Sequence, residues 1–102
     1  MKAYHLSIIT PDGKVFDEDI QALSAPGQEG SFGVLADHAP LLALLKEGVL
    51  KLTQNAAETF YAIGAGMLEF NHKNTCLILA DSATPCRSLE EAKEQITAID
   101  KT

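Results

Sequence analysis

Short apolar runs, separated every few residues by glycine, proline or asparagine, constrain the fold of this chain more than any other feature. Alternation of apolar and polar side chains with a period of two is the pattern of a β-strand with one buried face. In the first third of the chain such runs cover residues 4–8, 14–16, 20–25 and 31–35. Regularly spaced short strands of this kind predict a β-sandwich or a barrel.

The middle of the chain predicts two β-hairpins. Residues 49–53 and 59–63 are apolar-rich and flank the polar segment 54–58. Residues 67–70 and 76–79 flank the turn-forming segment 71–74 in the same way. Two strand-like runs separated by a short polar segment are typical of antiparallel neighbours.

The pattern changes from strand to helix near residue 85. Ser88 and Glu91 have the spacing of a capping box, in which side chains satisfy the free amides of a first helical turn. Apolar residues then recur at helical spacing, at Leu89, Ala92, Ile96 and Ile99. We therefore expect a β-sandwich over residues 1–84 and a short helical segment over residues 85–102, lying on the sheet or on a partner.

Composition excludes several classes of protein. A length of 102 residues is typical of one domain, and with 46% hydrophobic residues the chain can form a buried hydrophobic core. Fourteen acidic residues against eight basic ones give a net charge of −6, and the basic residues are scattered, so we expect no nucleic-acid partner. The longest apolar run, Leu41 to Leu45, is far shorter than the roughly 20 residues of a membrane span.

The N-terminus and the cysteines indicate a protein on the cytosolic side of a membrane. The first ten residues contain no apolar core of a signal peptide. Cys76 and Cys86 are too few for a disulfide scaffold, and without export we expect both to be reduced thiols. We expect Cys76 to serve as a small hydrophobic residue within a strand.

Catalytic and metal sites have weak support. His38 beside Asp37, with Ser31 nearby, suggests a hydrolase triad, but the Gly-x-Ser-x-Gly turn that would hold a nucleophilic serine is missing. The closest pair of metal-ligating residues is His72 and Cys76, and no further ligand has metal-site spacing. We expect His38 to be a loop histidine, and we expect no catalytic residues, no metal and no cofactor.

Three evenly spaced glycines, Gly27, Gly30 and Gly33, raise the question of a phosphate-binding loop. The spacing matches neither the dinucleotide-binding motif nor the P-loop, each of which also needs a strand before it and a helix after it. Glycines that permit a tight bend between two strands explain the pattern better.

The apolar run of residues 41–45, preceded by Pro40, has two interpretations on pattern alone. One is a strand buried on both faces. The other is a half-exposed strand whose alternate leucines form an apolar patch for a partner.

The same region carries a family resemblance. Gly30-x-x-Gly33-Val-Leu-x-x-His38-Ala-Pro40-Leu-Leu, followed by Leu45-x-x-Gly48-x-Leu50, resembles the signature of the epsilon subunit of F-type ATP synthases. A second block, Gly66-x-Leu68-Glu69-Phe70 and then Asn74 and residues 79–83, is similar to the second family signature in order and spacing. Residues 4–16 fit the first hairpin of the family.

The resemblance implies a ten-stranded β-sandwich of two antiparallel sheets, followed here by one short C-terminal helix. It implies a non-catalytic rotor subunit that clamps the foot of the gamma subunit to the ring of c subunits and transmits ion-driven rotation for ATP synthesis. Such a subunit is peripheral to the membrane, on the cytoplasmic face in bacteria or the equivalent face in organelles.

Individual positions carry over from the family as expectations. Those expected to contact the c ring are Gln28, Glu29, Gly30, Ser31 and His38. Those expected to contact the gamma subunit are Thr10, His38, Leu42 and Ala43. On the interpretation that the resemblance favours, one side of residues 41–45 closes the core and the other meets gamma.

The C-terminal region departs from the family. Residues 88–93 resemble the start of the first C-terminal helix, but the sequence ends at Thr102, before a second helix. Without the second helix, we expect inhibition of ATP hydrolysis to be weak or lost. Arg87 is the only arginine, so the arginine-rich pattern of ATP-sensing members is missing and we expect no ATP sensing. The alternative function is a free-standing β-sandwich that binds a small ligand or a carbohydrate, although with no tryptophan only Tyr4 and Tyr61 could stack on a sugar.

Overall fold

A computed structural model describes the backbone of residues 2–100 and the side chains of residues 2–96. Ten strands precede one helix. The strands are β1 (Tyr4–Thr10), β2 (Gly13–Ile20), β3 (Ala22–Gly27), β4 (Gly30–Leu35), β5 (Leu41–Leu45), β6 (Gly48–Gln54), β7 (Ala57–Ile63), β8 (Gly66–Asn71), β9 (Thr75–Ala80) and β10 (Ala83–Cys86). The helix is α1 (Leu89–Asp100).

The ten strands form the predicted sandwich. Their order is β10-β7-β6-β3-β5-β8-β9-β1-β2, and β4 pairs with β3 beside this path. β3 and β5 meet through one residue pair, Gly27 with Leu45, where the two halves of the sandwich join. At the other end, the side-chain amide of Gln54 donates hydrogen bonds to the Glu18 carboxylate (3.0 Å) and the Asp19 main-chain carbonyl (2.9 Å). These bonds hold β6 against β2 and nearly close the structure.

Pairing is antiparallel between the described strands except between β1 and β9, which run parallel. Both predicted hairpins are confirmed, as β6–β7 and β8–β9. The run at residues 20–25 is not one strand, because Ile20 ends β2 and Ala22 begins β3. Between them, the Gln21 amide donates to the Thr53 carbonyl at 2.9 Å and so turns the chain onto β6.

Alternation along the strands builds the core. In β1, every second side chain from Tyr4 to Thr10 is buried and those between are half-buried. Cys76 is fully buried on β9, as its sequence context predicts, and burial raises the pKa of its thiol to about 12. The largest fully buried side chains are Phe70, Leu6, Ile8, Ile20, Leu45, Leu50, Leu52, Ile63, Leu68, Ile78 and Val34.

The predicted capping box forms in part, with the Ser88 half as expected and the Glu91 carboxylate bonded one residue before the cap. The Glu91 amide donates to Ser88 Oγ at 3.1 Å, and the Glu91 carboxylate accepts a 3.4 Å hydrogen bond from the Arg87 amide. Ala92 is fully buried, where α1 packs on β6 and β7, whereas Leu89 is exposed. The side chain of Ile99 lies outside the described residues. The predicted domain boundary after residue 84 falls within β10, and the division into two domains stays a prediction.

Candidate partner-binding surface

β5 presents two different faces. Leu45 is fully buried, whereas Leu42 and Leu44 are 64% and 59% exposed. Leu41 and Ala43, on the same face as Leu45, are half-buried. The strand is therefore not buried on both faces, and its outward leucines form an apolar surface, which is the second of the two interpretations of this run.

The exposed leucines belong to a row of apolar side chains that crosses four strands. In the strand register, Leu44 on β5 pairs with Met67 on β8, Met67 pairs with Leu79 on β9, and Leu79 pairs with Ile9 on β1. Leu79 is 40% exposed, and Met67 and Ile9 are half-buried. We call Ile9, Leu42, Leu44, Met67 and Leu79 the outer apolar face.

Two open grooves border this face. The first groove, of about 450 Å³, is lined by Leu44, Met67 and Leu79 together with Thr10 and Asp81. The second groove, of about 540 Å³, lies between residues 27–32 and residues 41–44. Leu44 lines both grooves, so the surface is continuous from the start of the β1–β2 turn to the tip of the β3–β4 hairpin.

The structure brings most of the expected contact residues onto this surface. Thr10 lines the first groove, although it is buried and its hydroxyl is used in the turn, accepting from the Asp12 amide (3.2 Å) and donating to the Gly13 carbonyl (3.4 Å). The expected residues that line the second groove are Gln28, Glu29, Gly30, Ser31, Leu42 and Ala43.

His38 stands apart from the others. It lies beyond β4, where its Nδ1 is 2.6 Å from the Ala39 carbonyl and its ring meets the Phe70 ring edge-on at 6.0 Å. The Asp37 carboxylate binds Lys2 at 2.7 Å. That carboxylate therefore does not orient the histidine as a triad would require, and His38 is an exposed loop histidine as the sequence predicts.

The glycines of residues 27–33 make a tight bend. A Cβ at Gly27 would lie 2.7 Å from the Gly30 carbonyl oxygen, and Gly30 has a φ of 128°, which glycine adopts without strain. The bend lets β3 and β4 pair up to their last residues and leaves Gln28, Glu29 and Ser31 exposed at the tip.

A charged cluster lies along the solvent-exposed face of the β1–β2 pair. His5 lies between two carboxylates, with Nε2 2.5 Å from Asp17 and Nδ1 2.9 Å from Asp19, and Lys14 binds Asp17 at 3.0 Å. Hydrogen bonds to Asp17 and Asp19 raise the pKa of His5, and the bond from His5 holds the pKa of Asp17 well below its usual range. Within the described residues, no group of three or more histidine, cysteine or carboxylate side chains is arranged to hold a metal ion.

Comparison with known proteins decides the family. Residues 3–86 match the family described as the ATP synthase delta/epsilon chain, beta-sandwich domain. The chain belongs to this delta/epsilon family of ATP synthase subunits. The resemblance seen in the sequence is thereby confirmed.

Relatives of this delta/epsilon chain include bacterial proteins called ATP synthase epsilon chain. That of Sulfurovum sp. is 36% identical, over 94% of this chain and 81% of its own length. That of Bradyrhizobium sp. (strain ORS 278) is 35% identical, over 89% of this chain and 67% of its own length.

Two chains from solved mitochondrial ATP synthases share the fold of this delta/epsilon chain. One is from the OSCP, F1 and c-ring assembly of Euglena gracilis, with a TM-score of 0.81 and 22% identity over 97% of this chain and 62% of the other. The second is from the central stalk and c ring of Tetrahymena thermophila, with a TM-score of 0.70 and 14% identity over 95% of this chain and 89% of the other. Among the described residues of this chain, no helix has the length and apolar character needed to cross a membrane.

Sequence reasoning on the delta/epsilon chain missed Ile9, Leu44, Met67 and Leu79. Leu44 was within reach, because alternation along residues 41–45 puts it on the same face as Leu42. The other three become neighbours only through the pairing of β5, β8, β9 and β1.

Proposed function

We propose that this chain is a non-catalytic rotor subunit of the ATP synthase central stalk. In this proposal it clamps the foot of the gamma subunit to the c ring and transmits ion-driven rotation for ATP synthesis. The observation that carries the proposal is the outer apolar face, because a row of apolar side chains across four strands is the surface that a protein partner covers. Membership of the delta/epsilon family supports the choice of an ATP synthase partner.

The gamma subunit is the partner proposed for the outer apolar face. Fully burying an exposed leucine stabilises an interface by about 1.5–3 kcal/mol. Leu42 and Leu44 are each more than half exposed, so covering them would contribute a large part of the affinity. Thr10 and Ala43 take part as lining residues of the two grooves. His38, between β4 and β5 with its ring against Phe70, is proposed as a further contact.

The tip of the β3–β4 hairpin is proposed to meet the polar loops of the c ring. Its residues Gln28, Glu29, Gly30 and Ser31 are all exposed. Glu29 provides the charge of the tip, and an exposed ion pair contributes only about 0–1 kcal/mol. Contact with the ring would therefore be weak and sensitive to salt, and contact with gamma would provide the affinity. His38 is proposed as the second point of contact with the ring.

The proposed place of the chain is peripheral, on the cytoplasmic face of a bacterial inner membrane or the equivalent organelle face. It would be held there by the gamma subunit and the c ring. Weak inhibition of ATP hydrolysis stays a prediction, which hydrolysis assays of the complex would check. Lack of ATP sensing also stays a prediction, which calorimetric titration of the chain with ATP would check.

Co-purification with a tagged gamma subunit from the same organism tests the proposal. Leu44→Glu and Leu79→Glu each place a charge on the outer apolar face, and we expect either to weaken binding at least tenfold. Leu35→Glu is the matched control, because Leu35 is 56% exposed but lines neither groove, and it should leave binding within twofold.

Two outcomes would contradict the proposal. If the unchanged chain does not bind gamma, the alternative of a free-standing ligand-binding sandwich gains support. If Leu44→Glu, Leu79→Glu and Leu35→Glu bind gamma equally well, the outer apolar face is not the interface.

A further inference from the structure

The open side of β5 is a strand edge that pairs with no other described strand over residues 41–44. On one side, all five residues of β5 pair with β8. On the other side, β3 reaches β5 only at Leu45, where it pairs with Gly27. Beyond that point the chain turns away into the β3–β4 hairpin, and the second groove opens beside residues 41–44.

The last hydrogen bonds between β3 and β5 show which main-chain groups face this groove. The Gln28 amide donates to the Leu44 carbonyl at 3.1 Å, and the Lys46 amide donates to the Pro26 carbonyl at 2.9 Å. Along an antiparallel strand, successive residues turn their main-chain groups to opposite sides. The Leu44 carbonyl faces the groove, so the main-chain amide of Leu44 does too. Leu42, two residues earlier, therefore also has its main-chain amide and carbonyl on the groove side. We call the Leu44 amide and these two groups of Leu42 the β5 edge.

Proline and lysine flank β5, as Pro40 and Lys46, but neither lies within the strand whose edge is open. Exposed edges are commonly blunted by proline, by lysine or by a bulge. Residues 41–45 contain none of the charged or proline residues that would do this, and their pairing with β8 is regular. An edge that is open, regular and apolar fits an added strand.

We propose that the second groove receives an extended segment of a partner subunit, which pairs with the β5 edge as an additional strand. The proposal rests on the proposed function, because Leu42 and Leu44 also belong to the outer apolar face. The segment would therefore belong to the gamma subunit, and Glu29, at the rim of the groove, would lie between that segment and the loops of the c ring. The proposal adds the mode of recognition, which is main-chain hydrogen bonding by strand addition.

Charge and side-chain direction define the segment that fits. Glu29 is the only charged residue among those described as lining the second groove, and the chain as a whole carries a net charge of −6. Side chains of an added strand alternate between the two faces of the sheet, and those beside Leu42 would lie on the outer apolar face. The segment therefore alternates apolar residues with lysine or arginine.

Amide hydrogen exchange followed by NMR tests the proposal on the full chain. The probe is a blocked eight-residue peptide of alternating valine and lysine. At saturation we expect exchange of the Leu42 and Leu44 amides to slow at least tenfold, while the amides of Leu41 and Ala43, which already face β8, stay unchanged. The same peptide with glutamate in place of lysine should bind at least tenfold more weakly.

A pair of variants separates the contribution of main-chain hydrogen bonding at the β5 edge from that of the Leu42 side chain. Leu42→Ala and Leu42→Pro both remove the leucine side chain, but only the proline removes the amide that faces the groove. Because that amide is not paired with β8, proline is tolerated there. We expect Leu42→Pro to bind the peptide at least tenfold more weakly than Leu42→Ala. If the proline variant does not fold, the exchange measurement on the unchanged chain decides.

Repeating the exchange experiment with the gamma subunit distinguishes this proposal from the proposed function. Gamma binding without protection of Leu42 and Leu44 overturns strand addition and leaves the proposed function standing. Protection by the peptide without any binding of gamma supports the edge and contradicts the proposed function. Protection that depends only on the concentration of this chain would indicate self-association and would also overturn the proposal.

Discussion

The hydroxyl of Tyr4 donates a 2.7 Å hydrogen bond to the main-chain carbonyl of Val34, 30 residues further along the chain. The bond ties the start of β1 to β4, which otherwise pairs only with β3. Burial, with a smaller contribution from Cys76, raises the pKa of the Tyr4 hydroxyl, so it stays protonated and able to donate at higher pH than an exposed tyrosine. The ring of Tyr4 also meets that of Phe70 edge-on at 5.3 Å.

Replacing Tyr4 with phenylalanine tests this bond. The ring contact is kept, but the buried Val34 carbonyl loses the hydrogen bond from Tyr4, and we expect a loss of about 0.5–1.5 kcal/mol in the free energy of unfolding. Urea denaturation measures the loss. Tyr61→Phe is the control, because the Tyr61 hydroxyl makes no hydrogen bond with the described residues, and an equal loss there would contradict the assignment.

The neighbours Leu44 and Leu45 separate stability from partner binding. Leu45 is fully buried, so Leu45→Ala leaves a cavity and should lower the free energy of unfolding by about 2–5 kcal/mol. Leu44 is 59% exposed, so Leu44→Ala should change it by no more than about 0.5 kcal/mol. Chemical denaturation of the isolated chain gives both values, and similar losses would mean that the two faces of β5 are wrongly assigned.

The β6–β7 turn contains a strained alanine. Asn55 and Ala56 have φ angles of 53° and 67°, a left-handed pair typical of tight hairpin turns, in which the second residue is usually glycine. We expect Ala56→Gly to raise the free energy of unfolding by about 0.5–1 kcal/mol, because relief of strain exceeds the added entropy of the unfolded chain. Thermal unfolding checks the sign.

The adjacent substitution Ala57→Gly is the control for that prediction. Ala57 is exposed and begins β7, where glycine brings no relief of strain. We expect a loss of about 0.5–1 kcal/mol from glycine within the strand. Destabilisation by both glycines would show that Ala56 is not strained.

His5 should make stability depend on pH in a defined direction. Its pKa is raised in the folded chain, so its contribution is complete below the unfolded pKa of about 6.5 and is lost as the pH rises through the folded pKa. Asp17 has a lowered pKa, so its contribution is complete above about pH 4 and is lost as the pH falls further. The pair should stabilise the β1–β2 hairpin most between about pH 4 and pH 6.5.

Denaturation of His5→Gln against the unchanged chain from pH 5 to pH 9 checks this direction. The destabilisation caused by the substitution should shrink as the pH rises. In a background carrying Asp17→Asn it should be smaller at every pH, because one of the two carboxylate partners is removed. A destabilisation that grows with pH would contradict the assignment.

Local features of the sequence predicted the strands, the hairpins and the start of the helix. The alternation of residues 4–8 and the turn-forming segment 71–74 depend on neighbours in the chain, and the structure confirms both. The Ser88–Glu91 cap likewise needs only one helical turn. Residues 20–25 are an exception with a specific cause, since the Gln21 main-chain amide bonds to Thr53, which is remote in sequence. β10, which the local pattern did not predict, forms by pairing with β7.

By itself, the sequence determined the class of the fold and the family signatures, and it limited residues 41–45 to two interpretations, of which the structure selects the half-exposed strand. Only the tertiary structure decided that Leu44, Met67, Leu79 and Ile9 form one row, that His38 lies apart from the other expected contacts, and that the β5 edge is open. The reason is physical. Alternation states that a strand has two faces, but the strand that pairs with each edge, and so what covers each face, is set by hydrogen bonds between residues far apart in the chain.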